Sequence, residues 1–109
     1  MLELYQTEWC PASRRVRERL TELGLDYLVH QVPVARGERT TLLAATGIDT
    51  IPALLLEDGG AVVGEEAIEV YLDERFDEPL EAEAHRLKAA KARRCHLEEE
   101  CECLQPATH

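Results

Sequence analysis

Between residues 2 and 76 the chain alternates short apolar runs with helical stripes, and the breakers between them leave few ways to connect the pieces. Residues 2–5 read as a short strand, followed by the polar loop Gln6-Thr7-Glu8-Trp9. A helix starts around Cys10-Pro11, since proline suits the first helical position and Val16, Leu20 and Leu23 recur as one buried stripe. Gly24 followed by Leu25 is its expected left-handed stop. Arg14, Arg15, Arg17 and Arg19 take the other faces. Residues 27–32 form a second strand closed by Pro33, and residues 39–46 a short helix ended by Gly47. The runs 53–56 and 61–63 flank Glu57-Asp58-Gly59-Gly60, a hairpin turn by composition. Gly64 opens a third helix through Phe76, with Ile68, Tyr71 and Leu72 inward, until Asp77-Glu78-Pro79 breaks it.

This order implies a parallel strand pair joined by a crossover helix, then an antiparallel hairpin. A four-stranded mixed sheet flanked by helices, in the α/β class, satisfies both. Residues 1–76 are expected to form that domain and residues 77–109 a C-terminal helical tail, with a helix over 80–104. A chain of 109 residues holds one such domain and not a second full one. Its formal charge of −10 argues against nucleic acid and anionic lipid as partners. No apolar run approaches the roughly 20 residues a membrane span needs. The start Met1-Leu2-Glu3-Leu4 lacks the basic and apolar regions of a signal peptide, so the expected location is cytoplasmic.

Of the four cysteines, Cys10 stands alone where the first strand hands over to the first helix. Unpaired N–H groups and the positive end of the helix dipole favour a thiolate there. Such a thiol is nucleophilic at neutral pH when its pKa is lowered. Arg14 and Arg15 support the anion and Glu8 opposes it. The plainer reading is an inert small hydrophobe at the edge of the core. The position between a strand and a Pro-started helix favours the reactive thiol.

Three segments carry a resemblance. The stretch Leu4-Tyr5-Gln6-Thr7-Glu8-Trp9-Cys10-Pro11-Ala12-Ser13 resembles the active-site segment of glutaredoxins and of the N-terminal domain of glutathione S-transferases. Thr50-Ile51-Pro52 is similar to the Thr-Val-Pro motif whose proline is cis in that superfamily. Gly64-Glu65-Glu66-Ala67-Ile68 opens a helix where the family binds the glutamyl end of glutathione. The resemblance covers residues 1 to about 76 and implies the thioredoxin-like fold. It implies Cys10 and Ser13 as catalytic residues, with Trp9, Pro11, Thr50, Ile51, Pro52, Glu65 and Glu66 around bound glutathione. A cis Pro52 would turn the Ile51 backbone outward to pair with the tripeptide as an added strand. The glutamyl carboxylate would meet the helix start at Glu65-Glu66, and either glutamate would take its ammonium. An acidic helix start by itself also explains that pair. Two departures stand out. Glu66 fits the glutaredoxin branch better than the serine common in transferases. The loop before Cys10 also lacks the basic residue that many glutaredoxins use for the glycyl carboxylate, which leaves Gln6, Arg39 or another group for that end.

Cys10-Pro11-Ala12-Ser13 has serine where a dithiol enzyme has its second cysteine. The chemistry implied is monothiol exchange, with glutathione or another small thiol as co-substrate and glutathionylated or disulfide-containing proteins as partners. A glutathione S-transferase is the second reading, although residues 77–109 are shorter than that family's helical domain. A glutathione-binding module or a protein holding an iron–sulfur cluster is the third. Pro11, where cluster-binding proteins often have glycine, speaks against the cluster.

Cys95, His96, Cys101 and Cys103 crowd into nine residues. They suggest soft-metal ligands, but their spacing is outside the usual paired patterns. On a continuous helix Cys95 and Cys101 lie about 120° apart. A tail thiol that resolves Cys10 is the redox alternative, and a solvated acidic helix end the plain one. No metal is assigned. His30 and His85 receive no chemistry, and Trp9 is expected to pack over the active-site loop.

Overall fold

The computed structural model describes residues 1–98. Its elements are β1 (Leu2–Gln6), α1 (Pro11–Glu22), β2 (Tyr27–Gln31), α2 (Thr40–Thr46), β3 (Ala53–Leu55), β4 (Ala61–Val63), α3 (Glu65–Arg75) and α4 (Ala82–Glu98), with a 3-10 turn at Arg36–Glu38 before α2. The order follows the sequence reading, with boundaries displaced by one or two residues. The expected tail helix begins at Ala82, and the part expected beyond Glu98 lies outside the described residues.

The four strands form one sheet in the order β2-β1-β3-β4. β1 pairs parallel with β2, and the other two pairings are antiparallel. This is the mixed sheet required by a crossover followed by a hairpin, and the architecture is thioredoxin-like. Side chains alternate across β1 and so divide the core in two. Leu4 joins Val16, Leu20, Leu23, Leu54, Ile68 and Leu72 beneath α1 and α3. Its neighbour Tyr5 packs with Leu42 and Ala53 beneath α2.

α1 ends where the sequence places its stop. Gly24 has φ 70°, and its N–H donates to the Thr21 carbonyl while Leu25 N–H reaches back to Leu20. These two bonds satisfy carbonyls that the helix end would leave open. α4 is held differently: among its described residues only Ala82 is buried, and Leu87 is 63% exposed. Ion pairs hold it instead, with Arg86 on Glu22 and Glu78 and Arg93 on Glu18. No helix among the described residues is long and apolar enough to cross a membrane.

Candidate functional site

Strand register gathers the sequence-predicted residues at one end of the sheet. Tyr5 lies opposite Ala53, and Ala53 lies opposite Val63. The chain leaving β1, the chain entering β3 and the chain leaving β4 therefore share that end. The first becomes the Gln6–Cys10 loop, the second carries Thr50-Ile51-Pro52, and the third opens α3. A bond from Gly64 N–H to the Pro52 carbonyl, 2.8 Å, ties the last two together. The Ile51–Pro52 peptide is cis, as the resemblance implies.

Cys10 is the N-cap of α1, extended at φ −79° and ψ 118°, and its sulfur accepts the Ser13 N–H at 3.4 Å. The thiol is free and partly exposed. Partial burial is the largest influence on it and pushes its pKa up. Against this act the Ser13 hydroxyl, the N–H groups of Ser13 and Ala12, and the charge of Arg15, and together they bring it below its ordinary value. The Ser13 hydroxyl is fully buried and has no partner at full hydrogen-bond geometry. It sits close enough to favour an anion at Cys10 without bonding the resting thiol well. A hydroxyl binds an anionic acceptor more strongly than a neutral one, so this donor is best used by the thiolate.

Arg15 does two jobs here. It supports Cys10 electrostatically and bridges to Glu65, with Nη2 to Oε2 at 2.8 Å and a second contact from Nε to Oε1. That pairing holds the Glu65 carboxyl below its usual range. Glu66 is exposed and makes no hydrogen bond or ion pair among the described residues. The two acidic residues that the sequence treats as interchangeable are therefore different: one is engaged and the other available. Arg14, expected beside Arg15 as a support for the anion, instead faces Glu18 at 3.9 Å. Glu8, expected to oppose the anion, is paired with Arg17 at 3.0 Å.

Several expectations change. Trp9, expected to pack over the active-site loop, is 61% exposed. Gln6 is the buried end of β1, bonded to Gln31 at 3.1 Å and contacted by Arg17. Arg39 is also buried, with its guanidinium spent on the carbonyls of Pro33, Asp49 and Val34. Neither side chain is open to a glycyl carboxylate. Thr50 accepts a bond from Arg36 at 3.2 Å, Ile51 is half-buried, Pro52 is buried and Pro11 is exposed. His30, left without a partner in the sequence reading, bonds Glu3 at 2.7 Å and stacks on Tyr5. Aligning the two parallel strands residue by residue would have revealed this contact, because Tyr5 and His30 share one register position. Among the described residues no three metal-ligating side chains cluster. Cys101 and Cys103 lie outside those residues.

Fold and site together define a thioredoxin-like protein with a lone cysteine capping its first helix. The glutathione S-transferase N-terminal domain family matches residues 4–80, and the chain belongs to that family. No curated protein matches it. A glutathione S-transferase from Rhodospirillum rubrum is 29% identical with a TM-score of 0.60, covering 86% of this chain and 42% of that one. A glutathione S-transferase domain-containing protein from Marinobacter aquaeolei is 30% identical with a TM-score of 0.59, covering 83% and 49% respectively. The chain thus spans less than half the length of each. The buckwheat glutaredoxin–glutathione complex shares the fold at 22% identity and a TM-score of 0.54, covering 68% and 70%.

Proposed function

We propose that this protein performs monothiol exchange at Cys10, with glutathione or a similar small thiol as co-substrate and glutathionylated proteins as substrates. The observation that carries the proposal is the helix-capping Cys10, its thiol lowered, with a buried serine hydroxyl beside it in place of a second cysteine. Family and fold support a glutathione-related activity. The Cys10 thiolate attacks the glutathione sulfur of a protein–glutathione disulfide. The Cys10–glutathione bond forms as the old S–S bond breaks, and the released protein thiolate takes a proton from water. A second glutathione thiolate then attacks the bound glutathione sulfur, which frees oxidised glutathione and restores Cys10.

In this reading the tripeptide lies between Cys10 and the start of α3. The backbone of Ile51, beside Pro52, pairs with it as an added strand would. The open N–H groups of α3 receive its glutamyl carboxylate, and Glu66 receives the ammonium. Glu65 holds Arg15 in place. Trp9, Pro11 and Thr50 border the same opening. Residues 1–76 carry the chemistry and residues 77–109 form an appended segment. The test is release of glutathione from a glutathionylated peptide. Cys10→Ser abolishes it and Ser13→Ala slows it, whereas a Cys10 variant that stays active overturns the proposal.

Similarity to two bacterial transferase-type proteins favours one second reading, in which the reacting thiolate belongs to glutathione itself. Conjugation of glutathione to an aromatic electrophile, retained in Cys10→Ser, would support that reading over the first.

A further inference from the structure

The loop between β1 and α1 holds two side chains out beside Cys10. The Cys10 N–H reaches back to the Thr7 carbonyl at 3.4 Å, which closes a turn with Glu8 and Trp9 at its corner. Arg17, on α1, fastens the stem of that turn. It meets the Thr7 carbonyl at 3.4 Å, pairs with Glu8 at 3.0 Å and contacts the buried Gln6. Thr7 itself is buried. The stem is therefore fixed while the corner stands in solvent.

Turn corners favour Gly, Pro, Asn, Asp or Ser, each for a conformational reason that tryptophan does not share. At 61% exposure Trp9 also adds little to the core. An aromatic face held open one residue from a nucleophile is placed to meet whatever approaches that nucleophile, and tryptophan is among the residues that dominate such contacts. Its neighbour sets the charge. The Glu8 side chain is 67% exposed and its partner Arg17 only 19%, so the pair shows its carboxylate to solvent. The other arginines near Cys10 are engaged elsewhere, Arg15 with Glu65 and Arg14 toward Glu18. The corner is thus an aromatic and anionic surface on a chain of formal charge −10.

The chemistry of the substrate supplies the complement. Cysteines that become glutathionylated have thiolate character, and neighbouring lysine or arginine is a chief cause of it. An aromatic face attracts such a cation, tryptophan best of all. Adjacent α-carbons are about 3.8 Å apart, so a residue flanking the substrate cysteine stands as far from its own cysteine as Trp9 does from Cys10. We infer that the Glu8–Trp9 corner selects protein substrates whose glutathionylated cysteine is flanked by arginine or lysine, the indole stacking on the cation and the Glu8 carboxylate meeting its charge. This selection rests on the monothiol reading of Cys10 and adds no step to the exchange: the corner decides which mixed disulfides are presented to the thiolate.

The test measures kcat/KM for glutathione release from glutathionylated peptides that differ only in flanking the cysteine with arginine, alanine, leucine or glutamate. Each value is divided by the rate constant of the same peptide with free glutathione, which removes the effect of the flanks on the leaving thiol. The wild type should favour arginine over alanine about three- to thirtyfold, the combined range of an exposed cation–π contact and an exposed ion pair, and should favour leucine less. Trp9→Leu keeps an apolar side chain without the indole face and should cut the arginine-to-alanine ratio about two- to fivefold. Glu8→Gln should also cut it, by up to about fivefold, and added salt should shrink the wild-type ratio. A ratio within one variant is insensitive to the amount of folded protein and to the reactivity of Cys10 itself. A wild-type ratio near one, a preference for leucine or glutamate flanks, or a ratio left untouched by either variant overturns the inference and leaves the Cys10 proposal standing. Wild-type protein that releases glutathione from none of the peptides overturns the Cys10 reading, and the selection with it.

Discussion

Replacing Ser13 with alanine separates the catalytic use of its hydroxyl from any structural one. The hydroxyl is buried, unpartnered at full geometry, and placed to favour an anion at Cys10. A hydrogen bond to a charged acceptor is worth about 1.5–3 kcal/mol, and this partly exposed sulfur belongs at the lower end. At about 1.4 kcal/mol per unit, Ser13→Ala should raise the Cys10 thiol by roughly one pKa unit. Below both pKa values the thiolate fraction then falls about tenfold, while the more basic thiolate gains about threefold in intrinsic reactivity. The net effect is alkylation about three- to fourfold slower at low pH and about threefold faster at high pH. Iodoacetamide alkylation against pH, in a chain with Cys95, Cys101 and Cys103 replaced by serine, measures both limbs. Thermal unfolding at a pH low enough to keep Cys10 protonated should show no loss of stability, because removing an unpaired buried hydroxyl then leaves nothing newly unsatisfied. Superimposable pH profiles, or a loss that is uniform with pH, would refute the reasoning.

Four shorter predictions accompany it. Arg15→Gln should raise the Cys10 thiol and release the Glu65 carboxyl toward its usual range, both visible by titration. Glu66→Gln should raise the KM for glutathione while leaving Cys10 alkylation unchanged, and Glu65→Gln should disturb alkylation through Arg15. Leu54→Ala empties a fully buried position beneath α1 and α3 and should lower stability by about 2–5 kcal/mol in denaturant unfolding. The Cys10 thiol is lowered in the fold and ordinary in the unfolded chain, so its contribution to stability is complete above about pH 8.5 and fades as pH falls through the native value. Cys10→Ser should remove that dependence from the pH–stability curve.

Local patterns carried the fold. The Val16–Leu20–Leu23 stripe, the Gly24 stop and the Glu57–Gly60 turn each state their structure within a few residues, and the mixed sheet follows from their order. Cys10 was legible for the same reason, because a strand–loop–proline sequence marks a helix start. What the sequence hid was long-range pairing of polar groups. Gln6 reads as loop because it is polar, yet it is buried once Gln31 and Arg17 satisfy its amide. Arg39 looks free to bind an anion until the two loops around it converge on its guanidinium. Glu65 and Glu66 are alike in sequence, and only Arg15, fifty residues away, distinguishes them. The direction of α4 rests on two ion pairs that no periodicity announces.

The central claim is that Cys10 is the thiol that reacts first with a glutathione disulfide. Time-resolved intact mass, with peptide mapping of the first adduct formed from oxidised glutathione, tests it directly. The account predicts one glutathione, on Cys10, before any other cysteine is modified. A first adduct on Cys95, Cys101 or Cys103, with Cys10 still reduced, would contradict it.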